Sequence, residues 1–300
     1  MAKKIVVIGS LNMDVIVSAS RMPKTGETIH GEKVRYLPGG KGANQAVAIR
    51  KLGGDVTMIG AVGEDQFAQQ ILKQLEAYQL DTKLVSQIPG VATGIANIVH
   101  VPQDNSIIVI PGANGQCTPA LLQDLEEVIA SADFLLMQLE IPLETVTYAL
   151  KMAKEHQVTT ILNPAPAVSL SEEVMMLVDY ITPNETELEV LLNEKASLEQ
   201  AFTSWYQSYQ TELIVTLGEK GCAYYDQGEV VTIPASKVAD VTDTTGAGDA
   251  FNGAVAYGLA QDWEMAKIIA FAIQVSGLAV TKFGAQEGMP YKEEVDRLNG

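Results

Sequence analysis

The segment 243–249 reads DTTGAGD and runs straight into AFNGAVAYGLA, a small, apolar stretch suited to a helix. Gly246, Ala247 and Gly248 then occupy the turn that opens the helix, where glycine allows positive φ and close backbone approach. The free N–H groups of a helix start attract anions. Asp249 falls in the first turn, where a carboxylate is favoured in its ionised form. Donors for the oxygens of a phosphoryl group, next to a base for an attacking hydroxyl, are the parts that phosphoryl transfer uses. An Asp after a glycine-rich turn is also an ordinary way to begin a helix, so the segment by itself leaves both readings open.

A second glycine turn, PGGKGAN at 38–44, precedes QAVAIRKLGG. It matches neither GxGxxG nor a P-loop, because Lys41 is not followed by Ser or Thr. It still sets backbone amides, Gly40, Lys41 and Asn44 at a helix start, where they suit sugar hydroxyls and passing phosphate charge. Asn12 and Asp14 follow the first apolar run in GSLNMDVI, and Glu140 follows another. Ligands of open α/β sheets bind beyond the carboxyl ends of the strands, and an Asn/Asp pair can grip vicinal hydroxyls; the same residues also make turns. In TPNETE, Asn184 and Glu187 have the spacing of a helix capping box and also suit magnesium and its waters. TLGEKG at 216–221 ends a strand in a turn that can line a nucleotide pocket or simply return the chain.

What must position these residues is a repeat of apolar strand and amphipathic helix. Strand-like runs at 5–9, 56–62, 134–138, 159–162, 180–182 and 213–217 alternate with helix-like runs at 65–78, 143–156, 171–178, 185–192 and 198–209. That rhythm predicts βαβ units and a mostly parallel sheet covered on both faces. The last third turns helical, at 249–260, 265–281 and 292–298. Two stretches break the rhythm. Runs at 15–18 and 33–37 flank RMPKTGETIHG, and runs at 94–100 and 106–110 flank PQDN, with no helix between partners. They predict a small separate sheet, a lid inserted at about 12–37 and 94–110 into one main domain over 1–300.

The chain has 300 residues and a formal net charge of −17, with no basic patch of the kind a nucleic-acid binder needs. Its two cysteines, Cys117 and Cys222, form no CxxC pair, and His30, His100 and His156 are too scattered for a metal cluster. No run approaches the ~20 apolar residues of a membrane helix. MAKKIVVIGS mimics a leader but meets Asn12 and Asp14 too soon, so it reads as a first strand and the protein as cytoplasmic.

Taken in order, these segments resemble the ribokinase-type (phosphofructokinase-B) family of sugar kinases over nearly the whole chain. The resemblance runs through GSLNMD, PGGKGANQA, QLEIP, LNPAPA, TPNETE, TLGEKG, DTTGAGDAFNG and VTKFGAQ. GGKGAN and NMD are more similar to the ribose-phosphorylating members than to fructokinases or adenosine kinases. The resemblance implies ATP-dependent phosphorylation at O5 of ribose, with Asp249 as base and Gly246, Ala247 and Gly248 as the anion hole. It implies sugar binding by Asn12, Asp14, Gly40, Lys41, Asn44, Glu140 and Asp249. ATP would lie along Asn184, Thr216, Gly218, Gly221 and Gly248, with Asn184 and Glu187 supporting Mg2+. An activating K+ would sit among Asp243, Thr245, Ala279, Lys282, Gly284 and Gly288, and a homodimer would form through the lid sheets. The alternatives are a kinase of this fold for deoxyribose, another small sugar or a nucleoside, or a sugar-binding regulator without turnover. Two departures stand out. Ile273 and Gln274 replace the polar Asn or His often found near adenine, and Gly288 stands where a serine is frequent.

Overall fold

The computed structural model describes residues 2–102, 104–236 and 240–298. The large sheet contains β1 (Lys4–Ile8), β4 (Asp55–Gly63), β5 (Val85–Ile88), β8 (Phe134–Met137), β9 (Thr159–Leu162), β10 (Tyr180–Ile181), β11 (Glu212–Thr216), β12 (Cys222–Asp226) and β13 (Glu229–Ile233). Their order across the sheet is β13-β12-β11-β10-β9-β8-β1-β4-β5. β12 pairs antiparallel with both its neighbours, and every other pairing is parallel.

β1 is apolar at every buried position because the sheet is covered twice. Ile5 and Val7 join one core, beneath the helices Lys41–Lys51, Ala247–Ala260 and Met265–Ala279. Val6 and Ile8 join the other, beneath the helices Leu143–Glu155 and Leu198–Ser208. Burial on both faces removes the polar alternation a one-sided strand would show. The strand order reverses about β1, whose neighbours are β8 on one side and β4 on the other. A crevice therefore opens at its carboxyl end, the usual ligand position in such sheets.

β2 (Asn12–Ser18), β3 (Lys33–Gly39), β6 (Gly94–Val101) and β7 (Asp104–Ile110) form the separate sheet, in the order β3-β2-β6-β7. Gln103, in the expected PQDN turn, lies outside the described residues. Ile16, Ala96 and Ile98 make a small core of their own with Leu37 and Phe283, and the Arg35 guanidinium stacks 3.9 Å above the Phe283 ring. Val34, Tyr36, Ile107, Ile108, Val109 and Ile110 stay exposed on this sheet.

Some bounds differ from the sequence reading. The strand expected at 15–18 begins at Asn12, so Asn12 and Asp14 are strand residues and not turn residues. Glycine on both neighbouring strands makes room for them. A Cβ on Gly39 would lie 2.5 Å from the Asp14 carboxylate, and one on Gly94 would lie 2.3 Å from Asn12 Oδ1. The helix expected at 171–178 shrinks to Glu172–Met175, because the chain must turn back into β10. The helix expected from Asp249 starts at Ala247, with Gly246 as its N-cap.

Candidate active site

The helices Lys41–Lys51 and Ala247–Ala260 approach closely enough that a Cβ on Gly253 would fall 2.5 Å from Ala48 Cβ. That contact sets their amino ends side by side. Asn44 Nδ2 donates to Asp249 Oδ2 at 2.9 Å, and Gln45 Nε2 donates to Asp249 Oδ1 at 3.0 Å. Asp249 is buried, yet each of its oxygens has an amide donor.

Gly246 caps its helix at φ 79°, a left-handed conformation that glycine adopts freely, and a Cβ there would press on Ala285 at 2.7 Å. Gly248 is exposed, with nothing among the described residues within 4 Å of the place its Cβ would take. First-turn amides have no acceptor inside their own helix; here Ala247 N–H donates to the Thr244 carbonyl at 3.2 Å, while the turn is open beside Gly248 among the described residues.

The other helix start is occupied by the protein itself. Glu140 Oε2 accepts from Ser10 Oγ at 2.5 Å and from the Lys41 N–H at 3.2 Å, and Ala43 N–H donates to the Ser10 carbonyl at 3.0 Å. Asn12 Oδ1 accepts from Asn114 Nδ2 at 2.7 Å, which fixes its amide. Asp14 lies on the lid strand facing this cluster. Burial, with Glu140, Asp249 and Asp243 nearby, pushes its pKa up to about 7 against the pull of Lys41. Burial works against the Lys41 ammonium, but Asp249, Glu140, Glu187 and Asp14 hold its pKa above the ordinary lysine value. Of the predicted sugar-side residues, Asp14 and Glu140 face the Lys41 ammonium, Gly40 caps its helix, Asn44 reaches Asp249, and Asn12 lies beside Asp14 on β2.

On the far side, Asn184 and Glu187 form the expected capping box. Asn184 Oδ1 accepts from Glu187 N–H at 2.8 Å, and Glu187 Oε2 accepts from Asn184 N–H at 2.9 Å. Burial holds Glu187 above the usual carboxylate range, with Lys41 lowering it and Asp249 raising it. Asn184 also bridges to Thr216 at the end of β11. Gly218 and Gly221 shape the turn that follows, and Gly221 is wedged against the Ile233 carbonyl. Ile273 is core and Gln274 is half-buried.

The segment expected to hold a monovalent cation also comes together. Asp243 accepts from Thr245 N–H and from Gly284 N–H, each at 2.9 Å. A Cβ on Gly288 would sit 2.6 Å from the Ala279 carbonyl and 3.5 Å from that of Lys282. Among the described residues no three His, Cys, Asp or Glu side chains form a metal cage.

Several residues that shape the site carried no spacing signal. Gln45 donates to Asn163 Oδ1 at 3.1 Å as well as to Asp249, and Asn163 donates to the Thr182 carbonyl at 3.3 Å. Thr182 Oγ1 donates to Asn252 Oδ1, and Asn252 Nδ2 donates to the Gly248 carbonyl at 2.8 Å, which holds the glycine turn from behind. Ser10 and Gln45 lie inside motifs that the sequence singles out, which was the available clue.

A model of the pfkB family carbohydrate kinases matches residues 2–292. The chain belongs to the pfkB family of carbohydrate kinases. Within that family it is 44% identical to a ribokinase of Lactococcus lactis over 97% of this chain and 95% of the relative. It is 36% identical to a deoxyribokinase of Salmonella typhi, over 97% of this chain and 96% of the relative. A solved ribokinase from Arabidopsis thaliana, complexed with ribose and ATP, superposes with a TM-score of 0.92 at 33% identity, covering 99% of each chain. The large, mostly parallel sheet with a separate small one is the ribokinase-like fold.

Proposed function

We propose that this pfkB-family kinase transfers the γ-phosphoryl group of ATP to O5 of ribose. The observation that carries the reading is Asp249, fixed by two amides in the first turn of an open, glycine-lined helix start. In this mechanism Asn12, Asp14, Gly40, Lys41, Asn44 and Glu140 hold the sugar so that its primary hydroxyl faces Asp249. Asp249 takes the proton as the oxygen attacks in line. The amides of Gly246, Ala247 and Gly248 receive the charge that develops on the transferred group. ATP lies along Asn184, Thr216, Gly218 and Gly221, with its terminal phosphate at Gly248.

Two ions complete the proposal. Mg2+ keeps most of its waters and is bound through few protein groups, which suits Asn184 and Glu187 and the lack of a side-chain cage among the described residues. When bound, it neutralises phosphate charge. K+ fits a cradle of one carboxylate and backbone oxygens from Asp243, Thr245, Ala279, Lys282, Gly284 and Gly288, and glycine at 288 leaves those carbonyls uncovered. The whole chain works as one domain with its lid. Two copies pair through the exposed apolar residues of the lid sheets. Among the described residues no helix is long and apolar enough to cross a membrane.

The test is ADP release with Mg·ATP across ribose, deoxyribose, fructose and adenosine, in potassium and in sodium. The expected result is the highest kcat/KM with ribose, raised by potassium. The deoxyribokinase relative makes deoxyribose the specific second reading, and a higher kcat/KM with it would replace ribose. Light scattering checks the dimer, expected at twice the chain mass.

A further inference from the structure

Each of the two amides that grip Asp249 is itself gripped from behind. Gln286 Nε2 donates to Asn44 Oδ1 at 3.1 Å, and Gln138 Nε2 donates to Gln45 Oε1 at 2.6 Å. A side-chain amide donates at one end and accepts at the other. Once its oxygen is engaged by an outer amide, the inner amide can turn only N–H groups toward the carboxylate. The outer pair enters from separate elements. Gln138 leaves β8, and Gln286 lies in the short helix Ala285–Gly288. The backbone at Gln286 is pinned in turn. Lys51 Nζ donates to the carbonyls of Gln286 at 2.7 Å and Met289 at 3.0 Å, inside a cage of Tyr78 and Tyr291.

Gln138 Oε1 and Gln286 Oε1 are the buried side-chain polar atoms without a hydrogen-bond partner among the described residues. Leaving a buried oxygen unpaired is unfavourable. Flipping either outer amide would aim that oxygen at another oxygen, on Asn44 or on Gln45. The two orphans are therefore what the inward-donating arrangement requires, and they occur together at one carboxylate.

We propose that Gln138 and Gln286 are positioning residues for phosphoryl transfer, locking Gln45 and Asn44 in the sense that presents N–H to both oxygens of Asp249. The proposal rests on the reading of Asp249 as the base. With Gln286 removed, Asn44 is free to turn its oxygen to the carboxylate; with Gln138 removed, only the donation from Gln45 to Asn163 Oδ1 still opposes the same turn. That contact is tolerated only when Asp249 holds a proton, and a protonated Asp249 cannot accept another. The ionisable groups that interact with Asp249 are Lys41, Asp14 and Glu187, with Glu140 and Asp243 next to Asp14, and the variants leave all of them in place.

The experiment compares Gln138→Met, Gln286→Met and Asp249→Asn in the full chain, with Gln138→Leu and Gln286→Leu as second choices should a methionine variant fail to fold. Melting temperature, KM for ATP, and kcat from pH 5 to 9 are measured. The expected result for the glutamine variants is an unchanged melting temperature, since each removes one unpaired oxygen and leaves another on Gln45 or Asn44, and an unchanged KM for ATP. Their kcat falls by about 10- to 100-fold, and the acid limb of the kcat profile moves to higher pH. Glutamine variants with the parent kcat and acid limb, beside an inactive Asp249→Asn, overturn this proposal alone. Activity that falls only in step with melting temperature, with the acid limb unmoved, also overturns it by assigning the glutamines a purely structural role. An active Asp249→Asn overturns the base assignment and this proposal with it.

Discussion

Two helices begin in this site with a positive-φ glycine and no side-chain cap, Gly40 at φ 90° and Gly246 at φ 79°, yet the two ends do opposite things. At Gly40 the neighbouring strand ends fill the space. Ser10 and Glu140 take up the first amides, and a Cβ on Gly42 would strike the Gly9 backbone at 2.6 Å. At the other end Gly246 packs against Ala285, but among the described residues nothing lies within 4 Å of the place a Gly248 Cβ would take. A closed end already has its anion, in Glu140, and is left to recognise hydroxyls. An open end keeps its donors for a phosphoryl group. Glycine spacing marks both as helix starts, but which of them receives an anion is decided by the strand packed against it.

The sharpest way to break the comparison is Asp249→Asn, which keeps the open end and removes the base. Turnover falls by about 10³- to 10⁴-fold, while calorimetry finds sugar binding retained; near-normal turnover would remove Asp249 from its role.

Asp14→Asn tests the crowding of charge at the closed end. The folded protein holds the Asp14 proton up to about pH 7, whereas the unfolded chain releases it near 3.8. Stability therefore drops as pH climbs between these values and stays low above them. The asparagine variant lacks that slope. In denaturant titrations it matches the parent near pH 4 and exceeds it at pH 8, by at most about 4 kcal/mol at ~1.4 kcal/mol per unit. Its KM for sugar rises, and equal stability at pH 8 would show that Asp14 is not strained in the folded state.

Alanine at each end separates the two. Gly42→Ala forces the closed end apart and lowers stability by about 1–3 kcal/mol. Gly248→Ala has room, so its melting temperature holds while kcat falls by about 10- to 100-fold. A loss of stability in Gly248→Ala would mean the open end is packed after all. The smallest effect belongs to Lys220→Ala, which breaks an exposed pair with Glu185. It changes stability by less than about 1 kcal/mol, and its melting curve serves as the surface control.

The sequence is informative where chemistry is local. The alternation that gives β1, β4 and β8, the cap of Asn184 by Glu187, and the turn at Gly246 each depend on neighbours within a few residues. Asn12 and Asp14 were harder to place in β2, because both are poor strand formers and only Gly39 and Gly94 across the ladder make room for them. Gln138 and Gln286 stand in the QLEIP and VTKFGAQ motifs, but their role gave no signal, since a glutamine's partner is set by tertiary approach. Gln286 meets Asn44 across 242 positions of chain. Lys51 carries no mark in its local sequence either, yet it is 6% exposed and satisfied by the distant carbonyls of Gln286 and Met289.

The central place of β1 in its sheet has a consequence for the order of synthesis. β1 leaves the ribosome early and can pair with β4 once residue 63 has emerged. Its other edge waits for β8, which ends at residue 137. Until then the open edge is Ile5–Ile8, an apolar template of the kind that invites pairing with a foreign strand. Nascent chains stalled before β8 should therefore aggregate or recruit chaperones, and those stalled after it should not.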